Sequence, residues 1–290
     1  MAKKKKIAKK VESYVAHKSV KAGASAAAIQ SAYKIEVRFL GGLNAAQKNA
    51  FKAAANRWSK VIVGDVPSVR VGNEVIDDLL IEAQGVPIDG PGRILGQAGP
   101  TNLRPASAGA NAFLPAKGIM SFDTADLANM QADGTLLDVI THEMGHVIGI
   151  GTIWKNKGLL AGAGTANPTF TGSGAKKEFG VLKGTGPTAV PVENIGGAGT
   201  RDSHWRESVF KNELMSGFIA APNNPISRMT VASLQDLGYV VDLSAAEPYA
   251  LPNLQALAER GLLVAPGGEE RAHALPILAP KVLPDESLDV

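Results

Sequence analysis

Apolar and polar side chains alternate through YKIEVRFL (33–40), the period-2 pattern of a half-buried strand, and the glycine pair 41–42 ends it. NAAQKNAFKAAANRWSKVI (44–62) changes period. Phe51, Ala55, Trp58 and Val61 or Ile62 fall on one stripe, which predicts an amphipathic helix. DDLLIEAQG (77–85), GRILGQAG (92–99) and KGIMSFD (117–123) read as further strands separated by Gly/Pro turns. TLLDVITHEMGHVIG (135–149) returns to helical spacing, with Leu136, Leu137, Ile140, Met144, Val147 and Ile148 available for burial. Thr135 stands where an N-cap belongs and Gly149 where a helix stops. Periodicity fades over 152–200. VASLQDLGYVVDL (231–243) predicts a short helix running into a strand. Prolines at 248, 252, 266, 276, 280 and 284 argue against packed elements in the tail. The exception is PNLQALAERG (252–261), with Pro at a helix start and Gly at its end.

A chain of 290 residues, 45% hydrophobic, is large enough for a substantial core and excludes wholesale disorder. Charge is unevenly placed. Residues 1–21 hold eight lysines against Glu12, a local +7 in a chain whose total is +3, so the rest is net negative. The lysine run is read as a solvated arm rather than a nucleic-acid contact, since its dense part, KKKKIAKK (3–10), has no base-stacking aromatic among the lysines. The absence of cysteine excludes disulfides, thiolate metal sites and thiol catalysis. No stretch has the roughly 18 apolar residues a membrane span needs. AGASAAAIQSA (22–32) lacks the leucine-rich centre of a signal peptide and is read as a linker.

The candidate chemistry lies in HEMGH (142–146). On a helix, His142 and His146 face the same way one turn apart and can present two nitrogens to one ion, about 2.0–2.1 Å from each for zinc. Glu143, one step round, is placed to take a proton from water activated by the metal and to return it to a leaving amine. Gly149 extends the pattern towards HExxHxxGxxH, but its last position is Thr152, so a third ligand must come from elsewhere. Of the other histidines, His17 lies in the lysine arm and His273 in the proline-rich tail. His204, in DSHWRESVFKNELMSGF, lies within the predicted folded body and is preferred. Glu178, Glu193, Glu207 and Glu213 are acidic competitors, disfavoured because a glutamate-ligand site has no need of Gly149.

HEMGHVIGIGTIW, then HW, then NELMSG, with RMTVASLQDLGYVVD (228–242) behind them, resemble the leishmanolysin-type zinc proteases over roughly residues 115–243. The resemblance implies an α+β, metzincin-like fold. A twisted mixed sheet and an active-site helix form an N-terminal subdomain, and a loop-rich subdomain follows. It implies His142, His146 and His204 as ligands of one catalytic Zn2+, Glu143 as the base, and Met215 as the methionine of a tight turn under the metal. It also favours a secreted or extracellular location. The chain then divides into a basic flexible arm (1–32), an N-terminal catalytic subdomain with the zinc helix (33–150), a C-terminal subdomain with the third ligand and methionine turn (151–245), and a proline-rich tail (246–290). The chain departs from the family's eukaryotic members in having no cysteine, and therefore no cysteine-bearing latency segment.

The expected partner is an extended polypeptide pairing with a sheet edge, acted on by a monomer. Gly118, Ile119, Met120 and Ser121 of KGIMSFD are nominated as that edge by analogy with related enzymes. FDTADL (122–127) is read as a loop closing over the site, with Asp123 and Asp126 alternatively capping a turn. The competing reading is a catalytically silent zinc-binding protein, or a surface or nucleic-acid binder that works through the basic arm.

Overall fold

The structure is a computed structural model that describes residues 11–18, 32–88, 90, 96–197, 199–219, 221–253 and 279–290. Its strands are β1 (Glu12–His17), β2 (Lys34–Gly41), β3 (Val69–Val71), β4 (Glu74–Ile76), β5 (Leu79–Val86), β6 (Gly96–Leu103), β7 (Pro115–Asp123), β8 (Leu160–Ala161), β9 (Thr169–Phe170), β10 (Val190–Pro191) and β11 (Lys281–Val282). Its helices are α1 (Ala45–Val61), α2 (Thr124–Asp133), α3 (Leu136–Ile148), α4 (Ser173–Lys183), α5 (Glu207–Phe210) and α6 (Arg228–Leu237).

One twisted mixed sheet, in the order β1-β2-β5-β7-β6-β11, supports the helices. β2, β5 and β7 run parallel, and β1 and β6 are antiparallel to their inner neighbours. The turn out of β2 is forced by close approach. Gly42 has φ +71°, and a Cβ there would lie 1.8 Å from the Gly85 carbonyl oxygen, so only glycine fits. α1 opens on a capping box in which Asn44 and Gln47 exchange side chain-to-backbone bonds of 2.9 Å. Its buried face is Phe51, Ala54, Ala55, Trp58 and Val61, and Ile62 beyond it is buried too. Each large apolar side chain on that face contributes about 1.5–3 kcal/mol. The Trp58 indole also donates to the Thr141 carbonyl (2.9 Å), which ties α1 to α3.

α3 is the central helix, buried on almost every side. Only Leu137 is exposed, at 37%, although helical spacing had made it available for burial. Gly118 of β7 permits the close seat of α3 on the sheet, since a Cβ there would lie 2.4 Å from Val147 Cγ1 and 2.8 Å from the Gly99 carbonyl. Thr135 does occupy the N-cap position, but its hydroxyl bonds Asp133 and makes no cap bond to the helix.

Several expectations need correction. KGIMSFD is not an edge: Gly118, Ile119, Met120 and Ser121 pair with 81–84 of β5 on one side and with Pro100 to Gln97 of β6 on the other. β6 folds back antiparallel and takes the outer position. Its strand runs on to Leu103, whereas the predicted span stopped at 99, and 92–95 lie outside the described residues. FDTADL is not a closing loop but the end of β7 and the first turn of α2, whose N-cap Asp123 accepts from the Ala125 amide (2.7 Å). Within the span read as a basic flexible arm, residues 12–17 form β1, with Ala16 buried and the Tyr14 hydroxyl bonded to Asn56. Ion pairs of 2.6 Å join Glu12 to Lys48 and Lys18 to Asp242. Residues 152–200 hold α4 and the small sheet β8–β10. The strand expected at the end of 231–243 does not form, and only a bridge joins Val241 to Ile62. The tail returns as β11 against β6, with Leu283 buried beside Val69 and Ala116. The helix predicted at 252–261 lies largely outside the described residues, as do His273 and most of the lysine run.

Arg104, fully buried at the end of β6, donates to the carbonyls of Pro67, Asp77, Asp78 and Pro115 at 2.7–2.9 Å and so pins three segments at one end of the sheet. Arg104→Met should lower the unfolding free energy by about 3 kcal/mol, because several buried acceptors lose their donor at once. Equilibrium urea denaturation measures this. A loss below about 0.5 kcal/mol would remove the clamp from the account of stability.

Candidate metal centre

His142 and His146 sit one turn apart on α3, with Nε2 atoms 3.0 Å apart. The chain then reverses through two glycines. Gly149 (φ +122°) ends the helix, and its amide bonds back to the Gly145 and His146 carbonyls. Gly151 (φ +76°) lies so close under the later loop that a Cβ would meet the Ser203 carbonyl oxygen at 1.9 Å. Thr152, at the position where the contiguous pattern would carry a ligand, instead donates its hydroxyl to the His146 carbonyl (2.8 Å) and caps the helix end.

The loop that crosses Gly151 delivers His204. Its Nε2 lies 3.1 Å from that of His142 and 2.9 Å from that of His146. The loop is held on both sides, by bridges of Trp205 to Val192 and to Ser216 and by the Glu193 amide donating to the His204 carbonyl (2.9 Å). Trp205 anchors it from below, stacked on Trp154 at 4.7 Å and packed against Phe170 and Phe210.

The protonation pattern follows from the partners. Each imidazole meets a backbone carbonyl through Nδ1: His142 to Leu214 (2.6 Å), His146 to Ile150 (2.8 Å) and His204 to Thr200 (2.9 Å). A carbonyl only accepts, so each Nδ1 carries the proton and each Nε2 presents a lone pair. Burial holds the His146 imidazole down at about 4, which keeps it neutral. Three lone pairs thus converge in one buried space, an arrangement that repels itself unless a cation lies among them. Nitrogens 2.9–3.1 Å apart can all reach one point about 2.0–2.1 Å away, the zinc–imidazole distance. The three histidines form a buried group able to hold a metal ion. Three protein nitrogens with a fourth position left over is the set a catalytic zinc takes, so the residues fit one.

Glu143 is buried, its Oε2 has no hydrogen-bond partner, and burial pushes its carboxyl well above the usual range. An orphaned buried carboxylate oxygen is costly in a finished protein interior and is expected where a reacting group completes the shell.

Met215 is fully buried in a tight turn closed by the Ser216 amide on the Glu213 carbonyl (3.0 Å). Its thioether rests on α3 at Gly145, where a Cβ would lie 2.7 Å from Sδ. A mid-helix glycine costs about 0.5–1 kcal/mol against alanine, and here it makes room for that sulfur. The acidic competitors are engaged elsewhere. Glu178 pairs with Arg228, Glu193 caps the amides of Asn194, Ile195 and Glu207, and Glu207 begins α5. Glu213 accepts bonds from Met215, Ser227 and Thr230, which oppose the upward push of burial on its carboxyl. His17 is exposed on β1.

A mixed sheet carrying a helix with two of three convergent neutral imidazoles, beside an orphaned carboxylate, defines a metallohydrolase type of centre. The model of the leishmanolysin family matches residues 106–256, a span that includes all three histidines, Glu143 and Met215, and the chain belongs to that family of zinc metallopeptidases. No curated protein matches the chain significantly. No helix among the described residues is long and apolar enough to cross a membrane.

Gly151→Ala should displace the loop that carries His204. The expected result is a loss of about 2 kcal/mol or more, from positive-φ strain plus a backbone clash, and weaker zinc binding in a chelator competition. Wild-type stability and wild-type zinc affinity together would show that the glycine crossing does not set the third imidazole.

Proposed function

We propose that the protein is a zinc-dependent endopeptidase of metzincin type, with His142, His146 and His204 holding a single zinc ion and Glu143 acting as general base. The convergence of three Nδ1-protonated imidazoles within 3.1 Å carries this reading. When bound, the ion supplies Lewis-acid chemistry that acidifies water and polarises a carbonyl. Glu143 takes a proton from the attacking water as the water oxygen bonds to the scissile carbonyl carbon. It then delivers a proton to the amide nitrogen as the C–N bond breaks. Its orphaned Oε2 supports the role, since it has capacity for that proton and no competing partner. Met215, against Gly145, supports α3 from beneath between the two helical ligands.

The polypeptide substrate runs extended along β6. Among the described residues, β6 has a strand partner beyond β7 only at Asn102 and Leu103, where β11 pairs, so Gly96–Pro100 offer the open edge that β7 lacks. The metzincin division would fall near 150/151, with sheet and zinc helix (33–150) on one side of the cleft and the His204 loop and methionine turn (151–245) on the other.

Peptide cleavage and bound zinc measured together test the mechanism. Glu143→Ala is expected to keep one zinc per chain and lose about 10²–10⁴ in kcat/KM, whereas His204→Ala loses zinc affinity. Undiminished cleavage by the glutamate variant would sink the base assignment, and full zinc affinity in His204→Ala would sink the ligand set.

A further inference from the structure

Glu213 is one of the most completely engaged carboxylates in the protein, and the mechanism above does not use it. It is fully buried. Oε2 accepts from the Met215 amide (2.7 Å). Oε1 accepts from the Ser227 amide (3.0 Å), the Ser227 hydroxyl (2.7 Å) and the Thr230 hydroxyl (2.5 Å). Ser227 is also the N-cap of α6, accepting from the Thr230 amide, so the carboxylate lies at a helix start whose dipole favours negative charge.

Two of its contacts lead to different histidines. The Met215 amide belongs to the turn whose neighbouring carbonyl, Leu214 O, fixes His142 through Nδ1 at 2.6 Å. The Thr230 hydroxyl, while donating to Glu213, accepts the Trp205 indole N–H at 2.8 Å, and Trp205 directly follows His204. The two arms meet again where the Trp205 amide donates to the Met215 carbonyl (2.9 Å). One carboxylate therefore spans the turn behind one imidazole and the tryptophan beside another, although His142 and His204 are 62 residues apart.

We propose that Glu213 is a positioning residue for the metal cage, setting the relative placement of His142 and His204 through the 213–216 turn and the Thr230–Trp205 link. The proposal rests on the three histidines holding a metal. An acceptor with four donors has no adequate amide replacement: glutamine would turn its N–H2 towards the backbone N–H of either Met215 or Ser227, which cannot accept, so at least one bond is lost. Partners behind metal ligands typically change metal affinity 10–100-fold when mutated.

The test compares wild type, Glu213→Gln and Thr230→Val, with Arg104→Met as a destabilised control whose clamp is at the end of the sheet. Zinc affinity is read by chelator competition, cage geometry by the visible spectrum of the cobalt(II)-substituted protein, and folding by thermal denaturation. Glu213→Gln is expected to weaken zinc 10–100-fold and to change the cobalt spectrum. Thr230→Val should weaken zinc less, in the same direction, while Arg104→Met loses stability with an unchanged cobalt spectrum. Wild-type zinc affinity and spectrum in folded Glu213→Gln would overturn the proposal, leaving Glu213 a stabilising group only. If Glu213→Gln does not fold, Thr230→Val decides: weakened zinc with an altered spectrum supports the proposal, and unchanged binding overturns it. Failure of wild type to bind either ion would instead remove the cage itself, and this inference with it.

Discussion

Three imidazole lone pairs forced to face each other are the constraint around which this protein is built. Each Nδ1 proton is committed to a backbone carbonyl, so no ring can turn its N–H inward to relieve the repulsion without losing a buried hydrogen bond. Those carbonyls belong to Leu214, Ile150 and Thr200, from three different loops. The cage is therefore a statement about backbone positions far more than about the histidines. Most unusual features nearby follow from placing those carbonyls: the reversal at Gly149 and Gly151, the hydroxyl of Thr152 on the helix end, and the tight turn holding Leu214 and Met215 under α3.

The sheet supplies the other half of the constraint. A central helix buried on nearly every side can hold two histidines still only if nothing lets it slide. Gly118 brings it down onto β7 until Val147 touches the strand, and Trp58 hooks its backbone from the opposite side. Gly145 lets the methionine sulfur press on the helix beside that same tryptophan. Two of these contacts are made by a missing side chain, which leaves a socket in β7 at Gly118 and another in α3 at Gly145.

That economy explains which parts were legible in the sequence. Strongly periodic segments announced themselves: β2, β5, β7, α1 and α3 fall close to where alternation or helical spacing puts them. The helical histidine pair was readable because a four-residue spacing has one geometric meaning, and His204 because the other histidines lay in poor company. What escaped reading depends on neighbours in space. β7 looks like an edge because its sequence cannot say that β6 returns beside it. β1 is six residues long and hidden among lysines, so its Tyr14/Ala16 alternation was too short to stand out. α4 carries three lysines and glycines at its inner turns, which masks its buried Ala175 and Phe179. Glu213 was weighed as a ligand because an acidic residue near a metal motif suggests coordination. Its real partners, two amides and two hydroxyls, become visible only when Ser227 and Thr230 fold over it.

Holding the third imidazole still without a disulfide is the harder problem. The loop-rich stretch from Gly151 to Ser203 must be ordered at a cost of about 1–2 kcal/mol per residue in backbone entropy, and only its short elements repay part of that with regular hydrogen bonds. Two devices stand in for cross-links. One is the aromatic cluster of Trp154, Phe170, Trp205 and Phe210, which buries large rigid surfaces with few rotamers to freeze. The other is a set of carboxylates aimed at loop and helix-start amides: Glu193 on Asn194, Ile195 and Glu207, Asp236 on Gly174 and Ala175, Asp138 on Asn224, and Glu213 on Met215 and Ser227. A charged acceptor bonds an amide roughly twice as strongly as a neutral one and tolerates several donors at once. A buried carboxylate can therefore fix a loop corner where no strand partner exists. Trp205 belongs to the first device and reaches the second through Thr230, so the residue next to the third histidine is held where both converge.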